Sequence, residues 1–265
     1  MIVAGFHRSG TSLACRLLQR AGLFLGYKLL GAAFSNPYGH FEDREVLDIH
    51  NQILKDNGLT WQVSEQFSPV IKESHLQSMR TVIECRNREH ELWGFKDPRV
   101  CLLMTLWKQM LPDAKFLVVY RHFADSTYSL GKRHSTELFL NQGPVHLHRR
   151  FWEVPDLGLR MWLVHNKALV AFAHAYPEDT LVVSMDMIQE GFPVVKAVNR
   201  RWDLGLDDVV QASQVFDPNA TVRRSGKQPV SDRSLIGQVE ETWQALEQLS
   251  RREKTAAGRD TQVVQ

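Results

Sequence analysis

A glycine- and hydroxyl-rich loop between an apolar strand and an amphipathic helix carries the clearest chemical signal in the sequence. Residues 5–12 read G-F-H-R-S-G-T-S. Glycine lets successive backbone N–H groups turn toward one point, and a helix N-terminus adds unsatisfied donors and a positive dipole end. This combination predicts a site for a phosphate or sulfate group, with a plain strand-to-helix turn as the alternative. The candidate anion ligands are Arg8, Ser9, Gly10, Thr11 and Ser12.

The spacing of this loop resembles the nucleotide-triphosphatase pattern G-x-x-x-x-G-K-[ST], with one difference. Thr11 stands at the lysine position, and the cation comes earlier, at Arg8. That lysine reaches the β- and γ-phosphates of ATP or GTP, so its absence argues against triphosphate hydrolysis. The loop instead favours a ligand with a single 5′-phosphate group.

Two other polar segments follow predicted strands. Arg121 comes directly after the apolar run 115–120, and Ser129 lies eight residues later, in the next predicted helix. An arginine at a strand end presents a planar fork of donors to an anion, and the helix can turn the serine hydroxyl toward the same anion. The alternative is a buried arginine bonded to the backbone and an ordinary helix serine. The second segment, W-G-F-K-D-P-R at 93–99, places Lys96 after another short strand.

Together these segments resemble the sulfotransferases that use 3′-phosphoadenosine 5′-phosphosulfate, and in particular their bacterial members. R-S-G-T-S at 8–12 is similar to the family's 5′-phosphosulfate loop, and Arg121 with Ser129 is similar to its 3′-phosphate site. K-D-P at 96–98 and N-P-Y-G-H-F-E at 36–42 are similar to segments of bacterial members. Arg223 and Arg224 loosely resemble a late basic loop that closes over the 3′-phosphate in cytosolic members.

The resemblance implies in-line transfer of a sulfuryl group from this donor to a hydroxyl or amine, with adenosine 3′,5′-bisphosphate as the product. Glu42 is the candidate base, because related branches place a catalytic glutamate at this distance from the loop at residues 5–12, which is named the phosphate loop after its expected ligand. His40 and Asp43 are its local rivals, and capping of the next helix is the non-catalytic alternative for Glu42.

Charge on the leaving phosphate would be stabilised by Arg8 and Lys96. An ion pair with Asp97 is the alternative for Lys96, and Arg99 is either structural or holds an anionic acceptor. No metal is expected, since a sulfonate bears less charge than a phosphoryl group. His146 and His148 share one face of an expected extended segment, but no third ligand is evident.

Two rival functions stay open, a P-loop kinase of a small metabolite and a non-catalytic nucleotide-binding module. The acceptor itself is not identified: a small molecule, a carbohydrate or a phenol is expected, and a carbohydrate, a phenol or an acidic glycan fits equally well. We expect it to bind in the stretches 43–91 and 132–155. The tryptophans that can stack on an acceptor ring, with core packing as the default, are Trp61, Trp152 and Trp162.

Strands must position these residues, and the hydrophobic pattern supplies them. Short apolar runs alternate with helical stretches, which predicts an α/β fold with a central parallel sheet and, by resemblance, a P-loop-like three-layer α/β/α domain. A single domain over 1–250 is expected, with a helical insertion at about 43–91, a basic loop at about 132–155 and a polar tail at 251–265. The long apolar helix at 157–176 is expected to be central.

Composition sets the remaining expectations. The net charge of +2 is too small to indicate nucleic-acid binding, although arginines outnumber lysines among the 32 basic residues, which weakly favours an anionic ligand. Three widely spaced cysteines form neither a disulfide framework nor a zinc site. With no apolar run of membrane-spanning length and no signal peptide, a cytoplasmic protein is expected.

Overall fold

Four short parallel strands form the sheet at the centre of the fold, in the order β2-β1-β3-β4. The computed structural model of the chain describes residues 1–31, 39–210 and 230–262. In the register of the sheet, Ile2 pairs with both Phe95 and Phe116, and Phe116 pairs with Thr180. The strands are β1 (Ile2–Ala4), β2 (Phe95–Lys96), β3 (Phe116–Tyr120) and β4 (Thr180–Ser184).

Ten α-helices accompany this sheet in the described part of the chain. Short 3₁₀ turns at Pro98–Leu102 and Pro177–Asp179 precede α4 and β4. The helices are α1 (Thr11–Arg20), α2 (Arg44–Asp56), α3 (Glu73–Glu89), α4 (Met104–Met110), α5 (Phe123–Phe139), α6 (Val145–Glu153), α7 (Leu157–Ala175), α8 (Met185–Gln189), α9 (Val194–Trp202) and α10 (Arg233–Gln262).

Helices cover both faces of the sheet, because alternate side chains of each strand point in opposite directions. Phe116 and Val118 of β3 belong to an apolar cluster with α2, α3, α4, α7 and α10. Leu117 and Val119 belong to a second cluster, with α1, α8 and α9. All five residues of β3 are buried, as expected for a parallel strand covered on both sides. The expected α/β class with a parallel sheet is confirmed.

One expectation about local structure is wrong. The stretch 132–155, expected to be a basic loop, is largely helical, since α5 continues to Phe139 and α6 spans Val145–Glu153. The polar segment from 251 onward, expected as a tail, is helical as far as Gln262, where α10 ends. Helices α2 and α3 lie within the stretch expected as a helical insertion. Arg223 and Arg224 lie outside the described residues.

Helix α7 is central, as its apolar sequence predicts. Trp162 and Leu169 are completely buried, and the helix packs against α5 and α10. None of the described helices is both long and apolar enough to cross a membrane.

Candidate functional site

Three neighbouring strands deliver the candidate residues to one edge of the sheet. Strands β1, β2 and β3 are adjacent and parallel, so their carboxyl ends lie side by side. The phosphate loop follows β1, the segment beginning at Asp97 follows β2, and Arg121 follows β3. The carboxyl edge of a parallel sheet is where ligands bind in open α/β folds, because the loops there converge on one crevice.

The phosphate loop turns sharply between β1 and α1. A side-chain carbon on Gly5 would lie 2.2 Å from the carbonyl oxygen of Val119, so only glycine fits against β3. Gly10, the residue before α1, has a φ of 90°, and Arg8 has a φ of 63°. Left-handed backbone is uncommon for a side chain as large as arginine and concentrates at ligand sites. The turn places the N-terminal end of α1, with its positive dipole end, directly after the loop, as an anion site requires.

Arg8 and Arg121 meet beside this helix end. The Nε of Arg8 donates to the Oγ of Ser129 at 3.0 Å, and Arg121 Nη1 donates to the carbonyl oxygen of Arg8 at 3.4 Å. Burial, together with the nearby charges of Arg133 and Arg121, lowers the pKa of Arg8 to about 10. The structure therefore brings together the residues proposed for the two phosphates of one nucleotide. Their positive charges favour an anion between them.

The remaining loop residues differ in exposure and partners. Ser9 is fully buried, and among the described residues its hydroxyl has no hydrogen-bond partner. Thr11 is also buried. Ser12 Oγ donates to the carbonyl oxygen of His40 at 3.3 Å, which links α1 directly to the segment that carries the candidate base.

Glu42 and Lys96 form a buried ion pair. Lys96 Nζ donates to Glu42 Oε1 at 2.9 Å, and the two residues are 3% and 8% exposed. Lys96 is therefore not paired with Asp97, which was its alternative partner. Helix α2 is capped by Asp43, whose side chain accepts from the Glu45 N–H, so Glu42 is not the cap.

Asp43 has a structural role. In addition to capping α2, it accepts a hydrogen bond from Arg86 at 2.8 Å, and both side chains are almost fully buried. A carboxylate held in this way has no open path to an acceptor. Of the two local rivals of Glu42, only His40 therefore remains at the site, and burial lowers its pKa to about 4, which makes it a weak base.

The backbone before Glu42 is strained. Gly39 has a φ of 90° and Phe41 a φ of 56°. A left-handed bulky aromatic residue is a true outlier, and such outliers persist only where the surrounding structure holds them. The turn at Phe41 places adjacent carboxylates in different surroundings, Glu42 with Lys96 and Asp43 with Arg86.

Asp97 anchors a hydrogen-bonded chain under the site. Trp107 Nε1 donates to His50 Nε2 at 2.7 Å, so His50 carries its proton on Nδ1 and donates it to Asp97 at 2.8 Å. Asp97 also accepts from Arg99 Nη1 at 2.7 Å. Although burial alone would raise the pKa of Asp97, Arg99 and His50 hold it far below its ordinary value. Asp97 thus positions Arg99.

A cavity of about 370 Å³ lies beside these residues. Glu42, His40 and Arg99 line it, and Trp61 is the one proposed stacking tryptophan found there. Trp162 is in the core, and Trp152 is 70% exposed. Another part of the lining comes from α5, α6 and the segment between them, and its residues are Arg133, His134, Glu137, Gln142, Gly143, Pro144 and His148.

Arg133, His134 and Glu137 were missed as site residues from the sequence. Their spacing of three and four residues is that of one helix face, but it was obscured by the interpretation of 132–155 as a loop. The same error misplaced His148. In helix α6, His146 and His148 are two positions apart and do not share a face; His148 is buried, and His146 is exposed.

The amino-acid sequence matches no known protein-family model. A comparison with curated proteins likewise finds no match. A functional proposal for this chain therefore rests on the residues and geometry described above.

Proposed function

We propose that this protein is a sulfotransferase that uses 3′-phosphoadenosine 5′-phosphosulfate, built on a P-loop-like three-layer α/β/α fold. The observation that carries the proposal is the meeting of Arg8, Arg121 and Ser129 beside the N-terminus of α1. A nucleotide with phosphates at both its 5′ and 3′ positions needs two anion sites close together. The loop after β1 and the strand end after β3 supply two such sets of donors.

The neighbouring cavity supports the second half of the proposal, an acceptor beside the donor. Glu42 lines the cavity, and its Oε1 is held by Lys96 at 2.9 Å. A carboxylate has two oxygens, so the other oxygen of Glu42 can take the proton of an acceptor hydroxyl or amine. A cavity of about 370 Å³ accommodates a small acceptor such as a monosaccharide or a phenol.

In the proposed reaction the acceptor oxygen attacks the sulfur in line with the bridging oxygen of the donor. The S–O bond to the phosphate breaks as the new S–O bond forms, and the acceptor's proton passes to Glu42. Arg8 and the N–H groups of α1 stabilise the charge that develops on the leaving phosphate. Lys96 gives up its hydrogen bond to Glu42 and donates to the same bridging oxygen instead. Arg99 and Arg133 also line the cavity and are the candidate contacts for a negatively charged group, if the acceptor has one.

Calorimetry with adenosine 3′,5′-bisphosphate in the presence of a chelator tests the donor site. The expected result is saturable binding that needs no magnesium and is much weaker for adenosine 5′-monophosphate, which lacks the 3′-phosphate. Binding only of Mg-ATP would replace the proposal with a kinase.

Transfer is tested separately, with donor labelled in its sulfonate and a panel of sugars, phenols and amines, using mass spectrometry to locate the added group. A sulfated product supports the proposal. Tight nucleotide binding without any product over a broad panel would leave a non-catalytic nucleotide-binding module.

A further inference from the structure

His134, Glu137 and His148 bring three metal-ligating atoms together in the wall of the cavity. His134 Nδ1 lies 3.0 Å from Glu137 Oε2, and His148 Nδ1 lies 3.6 Å from the same oxygen. The two Nδ1 atoms are 2.8 Å apart. Ligands at about 2.0–2.1 Å from a tetrahedral zinc ion are roughly 3.3 Å from one another. The triangle therefore has the size of one face of such a site, and a bound ion would separate the imidazoles by about half an ångström.

The outer contacts of His148 fix the tautomer that a metal needs. Its Nε2 lies 2.9 Å from the carbonyl oxygen of Gln142, which can only accept a hydrogen bond. The ring therefore carries its proton on Nε2, and the lone pair of Nδ1 faces His134 and Glu137. A histidine that donates its second N–H to a backbone carbonyl is the usual arrangement in metal sites.

Glu137 and His134 are held in place by other contacts. Arg133 Nε donates to Glu137 Oε1 at 2.9 Å, which leaves Oε2 directed at the histidines. The imidazole of His134 stacks on Phe151, with ring centroids 4.8 Å apart. Because His134 Nδ1 lies between the lone pair of His148 and the carboxylate of Glu137, it carries a proton in the metal-free protein, and a bound metal ion would displace that proton.

We propose that His134, Glu137 and His148 bind a divalent transition-metal ion, with zinc as the best match. Two neutral imidazoles and one carboxylate are a ligand set that zinc prefers in sites with three protein ligands. All three residues line the cavity, so the fourth coordination position faces the space that Glu42 also lines. The ion adds a positive charge and a coordination position for an oxygen ligand there. This inference does not depend on the proposed sulfuryl transfer.

The binding experiment uses Zn²⁺ alone, added to full-length untagged protein that has been stripped with a chelator and desalted. Calorimetry is expected to show one saturable equivalent. Because even an outer-shell partner of a metal site is worth about 10–100-fold in affinity, His148→Ala and Glu137→Gln should each weaken binding by more than about tenfold. His146→Ala is the matched control, because this exposed histidine lies on the same helix, and its affinity should equal that of the wild type.

A measurement on the wild type covers the case in which a variant fails to fold. X-ray absorption at the zinc edge, on protein loaded with one equivalent, should show two imidazole ligands and a carboxylate oxygen. The absence of saturable binding, equal affinity in His148→Ala, or a zinc environment without two imidazoles would each overturn the proposal.

Discussion

Lys96 donates to Glu42 across 2.9 Å and so joins the end of β2 to the residue immediately before the cap of α2. The contact couples the two groups proposed for opposite ends of the reaction, the base and the cation beside the leaving oxygen. Because both side chains are nearly buried, neither charge can be removed without consequence for the other.

The first prediction concerns the stability of this pair. Glu42→Gln leaves a buried ammonium without its carboxylate and should lower the free energy of unfolding by about 3 kcal/mol. The double variant Glu42→Gln/Lys96→Gln should recover part of that loss, because no unpaired charge remains. Urea unfolding of the wild type, Glu42→Gln, Lys96→Gln and the double variant measures the coupling between the two positions. Strictly additive losses would show that the pair is not coupled.

The second prediction concerns transfer. Once the folded fraction is corrected for, Glu42→Gln should abolish sulfation while affinity for adenosine 3′,5′-bisphosphate stays within a few-fold, since Glu42 lines the cavity and is not among the residues proposed to hold the two phosphates. Glu45→Gln is the matched control, because this half-exposed carboxylate pairs with Arg86 and lies away from the cavity lining. Full turnover in Glu42→Gln would remove Glu42 from the mechanism.

The third prediction concerns the anion site. Arg8→Ala should weaken adenosine 3′,5′-bisphosphate binding by roughly 10–100-fold, because a hydrogen bond to a charged group contributes about 1.5–3 kcal/mol. Arg20→Ala, at the other end of α1, removes the same charge from an exposed position and should leave the affinity nearly unchanged. Equal losses in the two variants would mean that net charge alone attracts the nucleotide.

Part of the candidate site could be predicted from the sequence. The phosphate loop is contiguous, and Arg121 and Ser129 lie on adjoining elements, so their residue types and spacing were sufficient to indicate an anion site. The partner of Lys96 was not predictable, because Glu42 lies on a distant segment and the nearer Asp97 was an equally suitable partner. Only the fold shows that the carboxylate of Asp97 accepts hydrogen bonds from His50 and Arg99.

The three proposed metal ligands were not predictable from the sequence, for a different physical reason. The polar and basic composition of 132–155 resembles that of a loop, and Gly143 and Pro144 interrupt it. The helical spacing of His134 and Glu137 was therefore overlooked. His148 lies on the next helix, so its meeting with them depends on how α5 packs against α6, which hydrophobic periodicity alone does not specify.

The fourth prediction is a loss of stability in mild acid. His165 is fully buried with Nδ1 at 2.8 Å from the Met161 carbonyl oxygen, and burial lowers its pKa from 6.5 to about 4. Between these values the unfolded chain binds a proton that the folded protein does not, so stability falls as the pH falls. This loss in the free energy of unfolding is absent above pH 6.5, grows by about 1.4 kcal/mol per pH unit as the pH falls toward 4, and is complete below pH 4.

Urea unfolding between pH 7 and 4 measures this effect, with His165→Gln beside the wild type. The variant should show a shallower decline, and the exposed His146→Gln should follow the wild type. The stability of His165→Gln should still depend on pH, because burial also lowers the pKa of His40. Identical slopes in His165→Gln and the wild type would exclude His165 as a source of the acid sensitivity.

The sheet register has a consequence for how the site comes into existence. Ile2 pairs with Phe95 and Phe116, so the first strand finds its neighbours only after a long stretch of chain has been arranged around it. Closing such distant contacts is entropically costly and slows folding. Arg8 and Arg121 can then meet only in a molecule in which β1 and β3 are paired. During refolding, recovery of nucleotide affinity should therefore trail the return of helical circular dichroism, and a lag between the two signals would time the assembly of the sheet.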